Sequence, residues 1–233
     1  MLSRNGGHYL EDSINSIKTQ TYQNWELFLL DNNSSDDSIQ IALRLKGNDK
    51  RIHIYQSPWQ RTIPESRNFA VAETHGRYIA FLDSIDIWEP TKLEKQLAFM
   101  QKNCYSFSYT SFINSKKQIK HGPRIVTYQQ LQSYCWINYA TAMYDKKKLG
   151  LIQVNPINRF NDAYGLLLGI CRKANCYLLD ESLVICKKRR FSCCVSQIMQ
   201  QYKLLHNAEG VSPAIAVRKI MCGMLFRIGL IKT

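Results

Sequence analysis

Residues Tyr78 to Leu82 form an apolar run that stops abruptly at Asp83-Ser84-Ile85-Asp86. A short run of this kind, bounded by polar turn residues, reads as a buried strand. In open α/β sheets, ligands bind just beyond the carboxyl ends of the strands. Asp83 and Asp86 therefore stand where a hard cation with a phosphate ligand would sit. The same residues admit a structural reading: Asp83 caps the turn, and Asp86, shortly before Trp88-Glu89-Pro90, opens the next helix.

The first hundred residues alternate helical and strand signals around this run. Leu10, Ile14 and Ile17 recur at helical spacing, whereas Trp25 to Leu30 is a short apolar stretch closed by polar residues. Ser35-Asp36-Asp37-Ser38 is rich in helix-capping residues and opens a second helix. Arg51 to Tyr55 predicts a strand and Glu65 to Thr74 a helix. Pro90 is expected in the first turn of another helix, with an apolar stripe at Leu93, Leu97 and Met100. Such alternation implies an α/β fold with a mostly parallel sheet covered by helices. Its ligand face should gather the strand ends at Asp31 and Asp83 with the loop leading to Arg67. Farther on, strands are expected over Tyr105 to Phe112 and Tyr139 to Tyr144, and a helix over Ala163 to Arg172.

A length of 233 residues suits one domain with a sizeable core, or one domain plus a small appendage. No apolar stretch reaches the roughly 18 uncharged residues of a membrane span. The first twenty residues lack a basic start followed by an apolar core, so a cytoplasmic chain with reduced thiols is expected. The eight cysteines contain no Cys-x-x-Cys pair, which disfavours a zinc site. A net charge of +13, from 31 basic and 18 acidic residues, favours anionic partners. Basic residues concentrate in Lys146 to Lys148, Lys187 to Arg190 and the tail, which reads as contact with an anionic membrane or as a solvated face. No nucleic-acid motif accompanies the charge, so nucleic acid is not expected as a partner.

From Gly7 to about Met100 the chain resembles the family 2 glycosyltransferases of bacterial surface-polysaccharide synthesis, which have the GT-A fold. The likeness rests on Tyr9 to Ile14, Gln20 to Leu27, Leu30-Asp31-Asn32-Asn33-Ser34-Ser35-Asp36-Asp37-Ser38, Ser66 to Ala70, and Gly76 to Trp88. It continues more faintly to about residue 195. The resemblance implies a GT-A domain over 1–195 and a helical extension over 196–233. It implies a nucleotide-diphosphate sugar as donor, UDP-sugar favoured, and a saccharide or lipid-linked acceptor near the inner face of the cell membrane. Two departures stand out. Ile85 occupies the place of the aspartate that closes the family's Asp-x-Asp metal motif. Relatives also open with an interior strand of the type Val-Ser-Ile-Ile-x-Pro ahead of the Gly-His-Tyr-Leu segment, and here that strand is expected to be missing.

By the same resemblance, Asp31 holds the base, Arg67 approaches the diphosphate, and Asp83 with Asp86 holds Mg²⁺ or Mn²⁺. Asp162, in Arg159 to Leu166, is the general base of an inverting transfer, although Asn161 replaces the usual first acid of the pair. Each position also has a plainer reading: Asp31 as a turn former, Arg67 as a surface arginine, Asp162 as a carboxylate at a helix N-terminus. Lys187 to Ser192 occupies the place of a basic segment that folds over the diphosphate in relatives. The tail from Pro213 to Ile231 reads either as an interfacial helix or as a helix packed on the domain. The departures leave an alternative to the enzyme: a catalytically inactive, truncated relative acting as a binding partner.

Overall fold

In the computed structural model, residues 1–154, 162–187 and 201–227 are described. Strands β1 (Leu2–Ser3), β2 (Leu27–Asp31) and β3 (Ile52–Gln56) lie parallel, in the order β1-β2-β3. A bridge between Leu2 and Asp83 joins β1 to the segment leaving β4 (Tyr78–Ala80). Beyond β4 the sheet is mixed. The order runs from β4 through β9 (Met143–Asp145), β6 (Phe107–Ile113) and β10 (Cys176–Cys186) to β5 (Asp86–Trp88). Two short strands, β7 (Ile119–Lys120) and β8 (Ile125–Val126), pair with β6 and β10.

The helices follow from their apolar stripes. On α1 (Gly7–Lys18), Leu10, Ile14 and Ile17 share one face and are buried against α2 (Ser38–Lys46) and β5. Helix α3 (Ile63–Glu73) starts at a reciprocal cap: Thr62 Oγ1 accepts from Glu65 N, and Glu65 Oε2 accepts from Thr62 N. Helix α4 (Lys92–Lys102) follows β5, and the short α5 (Tyr128–Ser133) and α6 (Lys146–Leu149) flank β9 in sequence. Helix α7 (Asp162–Cys171) is apolar nearly all round, and its Leu166, Leu167, Leu168 and Ile170 are buried in one core with Phe107, Tyr109 and Tyr144. A second core joins α1, β2, β5 and α4 through Ile14, Leu29, Trp88 and Met100. The last helix, Pro213–Arg227, packs on α5 through its buried side, where Gly223 closes on the Ser133 backbone.

Four local expectations change. Asp86 opens a strand, not a helix: β5 pairs antiparallel with β10, and Ser13 Oγ and Ser16 Oγ fasten it to α1. Pro90 precedes the N-cap Thr91 instead of lying within the first turn of α4. Tyr139–Thr141 forms a 3₁₀ turn, leaving only Met143–Asp145 as strand. A first strand, expected to be missing, is present at Leu2–Ser3. Met1 O accepts from Leu30 N and Ser3 O from Asn32 N, so Leu2 and Ser3 pair inside the sheet.

Candidate active site

The ends of β1, β2 and β4 converge on a cleft of about 440 Å³, lined by Arg4, Asn32, Arg61, Ser66, Arg67 and Asp83 among others. Parallel pairing produces this convergence: Ser3 lies opposite Asp31, and Leu2 bridges to Asp83. Thr62, Ile63 and Ser66 bring the start of α3 to the same wall. A helix N-terminus presents backbone N–H groups and a positive dipole end, which suits an anion. Three arginines and one carboxylate line the cleft, so its charge balance also favours an anionic ligand.

Arg67 projects from α3 and is nearly buried, with its guanidinium 3.9 Å over the Tyr139 ring. This stacking fixes the plane of the guanidinium, and Arg67 is among the residues that line the cleft. Asp83 heads a tight turn in which Asp86 N donates to Asp83 O at 3.1 Å. The turn separates the two expected metal ligands. Asp83 lines the cleft, whereas Asp86 is buried in β5 opposite Cys186 and does not line it. Ile85, between them, offers no donor. Among the described residues, no group of three or more His, Cys, Asp or Glu is placed to hold a metal.

Asp31 ends β2 and is buried behind the cleft. Its Oδ2 accepts from Ser34 N at 3.0 Å and its Oδ1 from Ser34 Oγ, so the carboxylate orders the turn that follows. Asn33 reverses the chain there at φ 59°, a left-handed conformation that asparagine tolerates well. Asn32, the residue between them, lines the cleft and binds the Arg61 backbone from both amide atoms. The Arg61 guanidinium packs over Phe69, 4.5 Å from the ring centroid, and Arg61 Nε donates to Ser57 Oγ at 3.2 Å.

The structure thus places Arg67 and Asp83 in one cleft, leaves Asp31 buried at the end of β2 next to the cleft residue Asn32, and turns Asp86 away. Asp162 is the first residue of α7; its side chain lies outside the described residues, as do residues 155–161 and 188–200. Lys187 is described and forms an ion pair with Asp12. Sequence reasoning missed Arg4, Asn32 and Arg61. A usable signal for the last was Thr62-Ile63-Pro64-Glu65, a capping box that marks a helix N-terminus just after Arg61.

Comparisons with known proteins agree with this geometry. The sequence model described as Glycosyl transferase family 2 matches residues 1–163. The chain is 34% identical over 196 residues to the Escherichia coli UDP-Glc:alpha-D-GlcNAc-diphosphoundecaprenol beta-1,3-glucosyltransferase WfgD, covering 82% of this chain and 76% of that one. Its fold matches S. aureus TarS 1–349 with a TM-score of 0.74 at 15% identity, covering 96% of this chain and 68% of that chain. It also matches the Pyrobaculum calidifontis mannosyltransferase PcManGT, solved with GDP-Man and Mn²⁺, with a TM-score of 0.64 at 13% identity, covering 90% and 62%. The architecture is the GT-A fold, and the chain belongs to glycosyl transferase family 2.

Proposed function

We propose that this protein transfers a sugar from a nucleoside diphosphate donor, UDP-sugar favoured, to a lipid-linked or saccharide acceptor of a surface polysaccharide. The observation that carries this reading is the convergence of Arg4, Arg61, Arg67 and Asp83 in one cleft at the ends of parallel strands. WfgD, by its name, uses UDP-Glc and a diphosphoundecaprenol-linked acceptor, and TarS 1–349 has been solved with UDP-GlcNAc. Both support the donor class.

In this proposal the base rests against the Asp31–Ser34 turn, and Arg67 and Arg61 neutralise the diphosphate with the start of α3. Asp83 alone fits a divalent cation on the cleft wall. Mg²⁺ commonly takes one or two carboxylates and keeps waters or phosphate oxygens in its remaining positions. Mg²⁺ or Mn²⁺ held there would supply Lewis-acid stabilisation of the departing diphosphate. Asp162 receives the acceptor hydroxyl proton as the new glycosidic bond forms and the bond to phosphate breaks, with inversion at the anomeric carbon.

No helix among the described residues is long and apolar enough to cross a membrane. The last helix exposes Ile215, Val217 and Met221 beside Arg218, which supports peripheral contact with an anionic inner leaflet.

A second reading, a nucleotide-binding relative without turnover, is favoured by one observation: with Ile85 in place and Asp86 buried, Asp83 is the single carboxylate among the described residues that line the cleft. Calorimetry with UDP, with and without Mn²⁺, tests the donor site. Micromolar binding that strengthens with Mn²⁺ and is lost in Asp83→Ala and Arg67→Lys is expected. No binding of UDP or GDP by the folded chain would overturn the assignment. Binding without transfer to any lipid-linked acceptor would select the second reading.

A further inference from the structure

The hairpin that follows β6 begins at the cleft end of the sheet. Strand β9 runs antiparallel to both β4 and β6, so β6 runs parallel to β4 and leaves the sheet where β1, β2 and β4 end. The turn at residues 114–118 closes when Lys117 N donates to Asn114 O at 2.8 Å and Asn114 N to Gln118 O at 3.0 Å. Asn114 Oδ1 also accepts from Lys116 N and Gln118 N, at 2.9 and 3.0 Å. Lys117 occupies the left-handed region at φ 57°, where glycine or asparagine costs less. A turn shaped by backbone geometry alone would carry one of those residues. The lysine adds a cation at the tip instead.

From the turn, β7 returns along β6, and β8 then pairs with the start of β10. The charge along this stretch has one sign. Lys116, Lys117, Lys120 and Arg124 are exposed, and no Asp or Glu occurs between Glu94 and Asp145. The two carboxylates of the adjoining β10 are already engaged. Asp180 Oδ1 accepts from Ser111 Oγ and contacts His121 Nδ1, both at 2.6 Å, and Glu181 pairs with Lys95 at 2.5 Å. Among the described residues, Lys116, Lys117 and Lys120 form no ion pair. Residues 155–161, 188–200 and 228–233 contain no Asp or Glu, so they supply no counter-charge either. Apolar side chains stand among these cations: Ile119 of β7 is 52% exposed and Ile125 of β8 is 45% exposed. One exposed isoleucine is ordinary on a protein surface. Two of them within a carboxylate-free basic strip match the headgroup region of a bilayer, where phosphates take the cations and the acyl boundary takes the isoleucines.

We propose that residues 114–125 are a bilayer-docking element, and that their partner is an anionic phospholipid surface. Lys116, Lys117, Lys120 and Arg124 lie among the lipid phosphates, and Ile119 and Ile125 enter the headgroup boundary. Docking there holds the cleft end of the sheet at the surface in which a lipid-linked acceptor is anchored. That use rests on the lipid-linked acceptor proposed for this chain, whereas the contact itself rests on charge and exposure. The chain passes from β8 into α5, on which the last helix packs, so the strip adjoins the element that carries Ile215 and Met221.

Co-sedimentation of the full chain with vesicles tests the contact, with no donor or acceptor present. Binding to equimolar phosphatidylglycerol and phosphatidylcholine is expected near physiological salt, with none to phosphatidylcholine alone. Lys116→Gln, Lys117→Gln and Lys120→Gln together should weaken it about a hundredfold, about fivefold for each charge. Ile119→Ser with Ile125→Ser should weaken it at least about tenfold. An Ile119→Trp variant should shift its emission to the blue when anionic vesicles are added. All these variants should keep UDP affinity within about twofold, because the hairpin does not line the cleft. Unchanged vesicle binding by the lysine variant, or equal binding to neutral vesicles, would overturn the proposal. So would loss of binding only in Ile215→Ser with Met221→Ser, or an unshifted emission from Ile119→Trp. Tighter binding to poly(U) RNA than to anionic vesicles would assign the strip to nucleic acid and overturn the lipid partner. Failure of vesicle binding leaves the transfer reading standing, and failure of UDP binding by the folded chain strikes that reading alone.

Discussion

Asn32 and Arg61 hold each other by a reciprocal pair of hydrogen bonds. Asn32 Nδ2 donates to Arg61 O at 2.8 Å, and Arg61 N donates to Asn32 Oδ1 at 2.8 Å. A side-chain amide here closes a backbone pair that would otherwise need a neighbouring strand. It ties the end of β2 to the loop that enters α3, and both line the cleft.

Removing that clamp should loosen the cleft more than the fold. Asn32→Ala strips two hydrogen bonds from a loop that solvent can partly re-satisfy, a net cost of about 1–2 kcal/mol. UDP affinity should fall roughly tenfold with little change in far-UV circular dichroism. Calorimetry beside a thermal melt separates the two effects. Undiminished UDP affinity would show that the Arg61 loop plays no part in the donor site.

Restoring a carboxylate at the turn tests the metal reading. Ile85 is half-buried between Asp83 and the buried Asp86. In Ile85→Asp a second carboxylate joins Asp83 on the same tight turn, and Mn²⁺ affinity in the presence of UDP should rise at least about tenfold, as two-carboxylate sites do relative to one. Electron paramagnetic resonance of free Mn²⁺ reads this directly. Unchanged Mn²⁺ binding would mean that residue 85 points away from the cation.

Asp162→Asn separates the general base from donor binding. A positioned carboxylate base contributes about 10²–10⁴-fold. Turnover should drop by that range while the UDP dissociation constant stays within about twofold, because the proton is taken from the acceptor. Parallel loss of UDP binding would instead assign Asp162 a structural role at the start of α7.

Lys92 makes a prediction about stability. Its side chain is fully buried at the start of α4, with Nζ 3.8 Å over the Trp88 ring. Burial drives its pKa well below 10.5. Between the folded and unfolded pKa values the unfolded chain binds more protons, so stability should rise as pH increases through that window. Lys92→Met keeps the stem packing and removes the desolvation cost. The variant should be more stable at pH 7 by about 1–3 kcal/mol and lose the rising limb. Denaturant melts from pH 6 to 10 check both points. A destabilised variant would show that the ammonium–ring contact outweighs its desolvation.

Much of the fold was legible because local pattern and tertiary burial agree. Leu10, Ile14 and Ile17 mark α1 by spacing alone, and Trp25 to Leu30 marks β2. Strand β10 was not foreseen. Its apolar pattern is broken by Asp180-Glu181, where the pairing with β6 shifts register, so the residues alternate only on either side of the irregularity. At the cleft, Arg67 and Asp83 were legible from strand ends and from the resemblance. Asn32 was passed over beside Asp31, since sequence does not say which of two consecutive residues lines a cleft when a strand passes into a turn.

By itself, the sequence determined the alternation of helices and strands, the carboxylate-ended strand at Tyr78–Leu82, and the family to compare it with. These depend on periodicity and residue type, which act over a few neighbours. Only the tertiary structure decided that Asp86 is consumed by pairing with β10 and that Asn32 clamps Arg61. Each of these joins residues tens of positions apart, and register across a sheet is fixed by partners the local sequence does not contain.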